Sequence, residues 1–308
     1  MTTNSIEPLK AEKFLQSALE YIEPLKGTHI YNCVSRDYME KTGISEAGYG
    51  MWLENLFAHL AQKYKLPGRR VLDFGCGTGE LTVRMRTLGY EAYGFDLHEK
   101  HLNLARILAA ENGVPTEAFI LGKADDKTHV RLPFEDNTFD IITLFSVLEH
   151  LSDATLALIL PELRRICRGV VYVIAPNRLK TVDDHTGLRF ILWMPRGVAV
   201  RYVKLRGHKS GYHISADGVW DVYSRWPTRV LKIFRRHGFR GEFPPERLVF
   251  PSVESAPPIK SIGKYLTLGN KKICLGVPLP YETSAKLGVP PQFFLPFLNL
   301  IFTVDGRN

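Results

Sequence analysis

Apolar residues recur at helical spacing over residues 8–26 and again over 46–64, where Trp52, Leu53, Leu56, Phe57 and Leu60 form one stripe. Pro67 and Gly68 stop the second segment. The period then changes. Residues 70–74 (RVLDF) read as a short buried strand and 79–88 as a helix. Residues 91–95 read as a second strand and 99–112 as a second helix, closed by Asn112-Gly113. Further strands are predicted at 118–121, 139–144 and 170–175, the last preceded by a helix over 153–167. Such alternation predicts a parallel sheet covered on both faces, with every strand's carboxyl end at one ligand-binding edge.

Residues 177–227 break the rhythm. They hold several glycines together with Trp193, Trp220 and Trp226, and read as a segment inserted over the mouth of the sheet. A helix resumes at 228–237. Residues 239–243 and 272–277 are predicted to close the sheet as an antiparallel pair, with 244–270 as a long loop between them. Five segments result: N-terminal helices or lid over 1–66, a Rossmann-like, cofactor-binding α/β core over 67–176, a basic substrate-side insertion over 177–227, completion of the sheet over 228–277, and an apolar, Pro-rich tail over 278–308. The fold class expected is α/β, a Rossmann-like, seven-stranded, doubly wound and mostly parallel sheet with N-terminal helices and an inserted helical lid.

With 45% hydrophobic and 23% charged residues among 308, the chain has the composition of a packed domain and not of a disordered or fibrous one. Its four cysteines are scattered and form no C-x-x-C pair, so neither a zinc site nor a disulfide framework is expected, and no metal site is predicted. Residues 1–10 are polar, unlike a signal peptide, and the apolar run 293–304 is interrupted by Pro296 and Asn299 and is too short to span a bilayer. A cytoplasmic protein is the expectation. Between Arg178 and Arg240 fourteen Lys and Arg face four Asp, so this stretch alone exceeds the chain's net +8. It is either a solvated basic surface or a face that meets an acidic partner.

The chemistry concentrates at strand ends. Residues 71–79 (VLDFGCGTG) join the first strand to the first helix through a glycine bend, which lets backbone approach a ligand closely. A dinucleotide fingerprint counted from Gly75 requires glycine at position 80, where Glu80 stands. Asp73 and Glu80 bracket the bend and would repel a pyrophosphate. They suit S-adenosylmethionine, which has no phosphate and carries an ammonium and a sulfonium. Asp96, ending the second strand, is placed to accept hydrogen bonds from both ribose hydroxyls, or else to cap the next helix. Asp125, beside Ala124 after the third strand, is placed to accept from an adenine amino group, with Asp126 as its neighbouring competitor.

Taken with LPFEDNTFD at 132–140 and SVLEHL at 146–151, these motifs resemble the class I S-adenosylmethionine-dependent methyltransferases, in the branch acting on small molecules, quinones and glycans. The similarity covers about residues 68–176 and continues more weakly to residue 240. It implies that Asp73, Gly75 and Gly77 hold the methionine part of the cofactor and Asp96 its ribose, with Gly79 also among the cofactor-binding residues. It further implies that Asp125 and Ala124 meet the adenine, that Cys76 and Leu97 pack nearby, and that Phe145 and Ser146 line the pocket. Residues 49–52 (YGMW) are placed in a lid.

For the catalytic base, Asp184 and His185 follow the fifth strand. A carboxylate that orients an imidazole can deprotonate a hydroxyl, and the same residues also suit a capped turn. His150 lies in the LEHL element, where a scaffold role competes with catalysis, and His208 and His213 are further candidates. No acidic cluster follows the fourth strand to hold a metal, and no Asn/Asp-Pro-Pro-aromatic run marks methylation of planar amino groups. The expected activity is methyl transfer, chiefly to oxygen, on a small-molecule, glycan or lipid-type acceptor, leaving S-adenosylhomocysteine. RNA methylation and a non-catalytic cofactor-binding scaffold are the alternatives. Residues 188–206 mix aromatic and basic positions, as a helical lid, an acidic-substrate site or a peripheral membrane contact would.

Overall fold

The computed structural model describes residues 7–27, 29–42, 49–122, 130–183, 186–206, 222–245, 248–249, 265–268, 271–274, 288, 290–295 and 297–306. In chain order its principal elements are α1 (Glu12–Ile22), α2 (His29–Thr42), α3 (Tyr49–Lys63), β1 (Arg70–Phe74), α4 (Glu80–Thr87), β2 (Glu91–Asp96), α5 (Glu99–Glu111), β3 (Phe119–Leu121) and β4 (Phe139–Phe145). There follow α6 (Asp153–Ile166), β5 (Cys167–Pro176), α7 (Arg196–Leu205), α8 (Pro227–Arg236), β6 (Phe239–Glu242), β7 (Tyr265–Leu268), β8 (Lys271–Cys274) and β9 (Phe297–Val304).

Seven strands form one sheet in the order β3-β2-β1-β4-β5-β9-β6. The pairs among β1 to β5 are parallel, and β9 runs antiparallel to both β5 and β6. The expected Rossmann-like sheet is therefore present. Its closing pair is not the expected one. Residues 271–274 pair with 265–268 in a separate hairpin, and the last strand to enter the sheet comes from the segment read as a tail. β9 slots between β5 and β6, and residues 298–304 are all buried.

Side chains alternate across the strands and so divide the core into two layers. Leu72, Val171, Val173, Leu300 and Phe302 face α6 and α8 through Leu156, Leu160, Leu163, Val230 and Phe234. Val71, Ile141, Val170, Tyr172 and Ile301 face α3, whose buried stripe is Trp52, Leu53, Leu56, Phe57 and Leu60. Phe302 stacks on Phe234 with ring centroids 3.9 Å apart, and the buried Tyr172 hydroxyl donates to Asn299 Oδ1 at 2.7 Å. An Asn in the middle of a strand buried on both faces is thereby satisfied.

The first N-terminal helix, α1, lies against α5. Ala11, at the start of α1, offers no side-chain cap. The Glu111 carboxylate, from the last position of α5, replaces it by accepting from the amides of Lys13 and Phe14 at 2.9 Å each. A negative charge there also favours the positive helix end. Phe14, Ala18 and Ile22 then bury the apolar face of α1. Among the described residues, no helix is long and apolar enough to cross a membrane.

Candidate cofactor crevice and acceptor edge

The glycine bend leaves β1 at its carboxyl end and is tied to β2, because the amides of Gly75 and Cys76 both donate to the Phe95 carbonyl, at 2.7 and 3.1 Å. Gly75, Gly77 and Gly79 all have positive φ, of 76°, 53° and 83°. Their surroundings separate them. A Cβ on Gly75 would meet Val147 Cγ2 at 2.5 Å, and one on Gly79 would meet Ala105 Cβ at 2.5 Å. Packing alone therefore excludes a side chain at those two positions. A Cβ on Gly77 would meet nothing within 4 Å, so its backbone faces open space.

Acidic groups surround that opening. The Asp73 carboxylate, 2% exposed, accepts from Thr82 Oγ1 at 2.7 Å and Thr143 Oγ1 at 3.0 Å, pinning β1 to α4 and β4 beneath the bend. Asp96 Oδ2 accepts from the Gly77 amide at 2.9 Å; Oδ1 accepts from the His98 amide at 2.8 Å and lies 3.1 Å from the His98 ring Nδ1. Burial alone would raise the Asp96 carboxyl, but these hydrogen bonds outweigh it and hold the group below the usual carboxylate range. The two oxygens of Glu80 both accept from Thr78 Oγ1 at 2.9 Å. Burial pushes the Cys76 thiol well up, and the charges of Asp73, Asp96 and Glu80 push it further. Three carboxylates thus reach one bend, which makes the crevice a place for a cation and hostile to a phosphate.

Asp96, His98 and His101 also bring one donor atom each within 4.8 Å of one another, although no metal site is expected from the sequence. Leu97 is 54% exposed just past Asp96. Phe145 is half-buried between Trp52 and Tyr172, at centroid distances of 5.8 and 5.7 Å, so the segment assigned to a lid reaches the end of β4. Ser146 is exposed and has φ of 54°. A non-glycine residue in that left-handed region costs about 1–3 kcal/mol and recurs where backbone clamps a ligand.

Of the base candidates, His150 sits in the turn Leu148–His150 after β4, with its ring Nδ1 shielded from solvent. Asp184, His185, His208 and His213 lie outside the described residues, as do Ala124 and Asp125. The flanks of the Asp184-His185 pair are visible. Asp183 is buried, and its Oδ2 accepts from the amide and hydroxyl of Thr186 at 3.0 and 2.7 Å. Sequence reasoning passed over Val147, which seats Gly75, and over Thr82 and Thr143, which hold Asp73. It also passed over His98, although a polar residue two positions past a strand-end Asp at a helix start was a usable sign.

Residues 71–169 match the family model of a methyltransferase domain. The chain thus carries a methyltransferase domain, and it is similar to the class I S-adenosylmethionine-dependent methyltransferases. A ubiquinone biosynthesis O-methyltransferase of Ruegeria pomeroyi is 28% identical to the methyltransferase over 233 residues, spanning 71% of this chain and 81% of that one. A protein of the same name from Rhizobium rhizogenes is 27% identical over 231 residues, spanning 72% and 86%. Among solved structures, an S-adenosylmethionine-dependent methyltransferase from Mesorhizobium loti superposes with a TM-score of 0.47 at 19% identity, over 83% of this chain and 98% of that one.

The open space at Gly77 tests the fit of the methyltransferase to its cofactor. Gly77→Ala is expected to lower affinity for S-adenosylhomocysteine about tenfold, because its Cβ enters that space. It should cost only about 1 kcal/mol in stability from the positive φ. Calorimetric titration and thermal unfolding measure the two effects separately.

Proposed function

We propose that the methyltransferase transfers a methyl group to a hydroxyl oxygen of a small-molecule acceptor. The observation that carries this reading is the alignment with relatives named as O-methyltransferases across most of both chains. The acidic crevice with its open glycine supports the donor side. Gly75 and Gly77 hold the methionine part, with Asp73 contributing charge from beneath. Asp96 holds the ribose, and Asp125 with Ala124 takes the adenine. Gly79 keeps α5 close to the bend, Cys76 and Leu97 wall the crevice, and Phe145 and Ser146 form the edge shared with the acceptor.

When bound, S-adenosylmethionine supplies a methyl carried on a sulfonium that departs as a neutral thioether. The chain aligns the acceptor oxygen, excludes water and removes one proton. His185 takes that proton from the hydroxyl and Asp184 orients the ring, while His150 is the second candidate from the end of β4. Residues 177–227 act as the lid. The described part of the lid has a small core of its own, formed by Leu188, Ile191, Leu192, Ala199, Val203 and Val222.

Labelled methyl donor offered to paired acceptors that differ only in a hydroxyl or an amine tests the reading. Label is expected in an ether, and label confined to amines or to RNA would overturn it. His185→Ala is expected to leave S-adenosylhomocysteine affinity unchanged and to lower turnover about 10²–10⁴-fold, the usual contribution of a positioned base. Wild-type turnover in that variant removes His185 from the mechanism.

A further inference from the structure

A cavity of about 390 Å³ lies at the carboxyl edge of β4 and β5, where the starts of α6, α7 and α8 converge. Among the described residues, Arg178, Arg196, Arg225 and Arg229 line it together with one carboxylate, that of Asp153. Its place in the fold follows from three contacts. Arg178 stands two positions past the end of β5, its amide donates to the Arg225 carbonyl at 3.3 Å, and the Arg225 guanidinium donates to Leu148 and Leu151 in the turn after β4.

The four guanidinium groups are not equivalent. Arg225 is 7% exposed and fully engaged, with Asp153 and with backbone carbonyls. It is a structural strut. Arg229 shares Asp153 at 2.6 Å but keeps about half its side chain exposed. Arg196 donates to the Val222 carbonyl and lies 3.9 Å over the Tyr223 ring. Arg178 donates to the carbonyls of Trp193 and Met194, at 3.5 and 3.3 Å, and its Nε is buried with no hydrogen-bond partner. Carbonyl partners satisfy the donors of Arg178 without cancelling its charge, while Arg225 and Arg229 share the one carboxylate of Asp153, so among these three described residues positive charge is in excess. The first turns of α6, α7 and α8 add partial positive charge to the same space.

We propose that this cavity binds a phosphoryl group of the acceptor. Arginine forks match the oxygens of a phosphate, and the neighbouring Trp226 ring, 41% exposed, offers a flat apolar surface to the organic part that carries it. Off the ends of β4 and β5, the phosphoryl group is anchored beside the strands next to the cofactor crevice at β1 and β2. The same opposition of charge that bars a phosphate from the glycine bend makes this second place the one that selects it. The assignment rests on the acceptor reading above, and direct binding separates the two.

Inorganic pyrophosphate is the probe, titrated calorimetrically into the full-length protein with S-adenosylhomocysteine present. Saturable binding with Kd below about 1 mM is expected. Arg178→Gln and Arg229→Gln should each weaken it at least about tenfold, with S-adenosylhomocysteine affinity and the unfolding temperature unchanged. A second arm uses phosphatidylcholine vesicles containing phosphatidic acid. Co-sedimentation that pyrophosphate reverses supports the site with a lipid-borne phosphate, and pyrophosphate binding without co-sedimentation supports it with a soluble one. Absence of pyrophosphate binding in wild type, or binding indifferent to both substitutions, overturns the proposal while S-adenosylhomocysteine still binds. Failure to bind S-adenosylhomocysteine would instead strike the cofactor assignment on which the acceptor reading stands.

Discussion

Asp96→Ala is expected to weaken S-adenosylhomocysteine binding at least about a hundredfold. The carboxylate is charged, 8% exposed, and stands at the tip of β2 beside the opening over Gly77. In the ribose role it accepts two hydrogen bonds, and a bond to a charged acceptor contributes about 1.5–3 kcal/mol. Its loss also releases the Gly77 amide and the His98 amide, which it holds at 2.9 and 2.8 Å. Calorimetric titration measures the affinity, and circular dichroism checks that the fold persists. Affinity within threefold of wild type would remove Asp96 from the site. The pH dependence carries its own sign. Because the folded carboxyl sits below its ordinary value, the charged form persists as pH falls through the usual carboxylate range. Its contribution to stability and binding is present above the unfolded value and disappears only as pH drops through the lowered one.

Leu300→Asp should abolish cooperative folding at ambient temperature. Leu300 is fully buried at the centre of β9, in register with Val173 of β5. Removing a buried leucine costs about 2–5 kcal/mol, and an unpaired carboxylate in the same place adds several more. Domains of this kind are stable by about 5–15 kcal/mol, so the sum approaches the whole margin. Asp305→Ala, at an exposed position one residue past the strand, should shift stability by less than about 0.5 kcal/mol. Denaturant unfolding of both variants checks the contrast. A cooperative Leu300→Asp transition near the wild-type midpoint would mean that β9 is no part of the sheet.

Local signals in the sequence carry much of the fold. The stripe from Trp52 to Leu60 and the glycine bend came through because periodicity and turn chemistry act over a few residues. The helix α2 did not, since its sequence HIYNCVSRDYMEKT is mixed polar and apolar and shows no clean stripe. The C-terminal strand escaped for a different reason. FLNLIFTV lies among prolines and is apolar at nearly every position, a pattern that local reasoning cannot tell from a docked tail. Its strand character comes from pairing with β5 and β6, far away in the chain.

The site divides along the same line. Residue types alone determined that a carboxylate-flanked glycine bend disfavours a diphosphate and suits a cationic nucleoside, because charge and backbone freedom belong to the residues themselves. Only the tertiary structure decided that neighbours leave no room for a side chain at Gly75 and Gly79 while Gly77 faces space, that Asp73 is pinned by Thr82 and Thr143, and that four arginines and Asp153 meet among the described residues of one cavity. Each of those outcomes depends on groups brought together from distant parts of the chain, and proximity of that kind is created by the packed core.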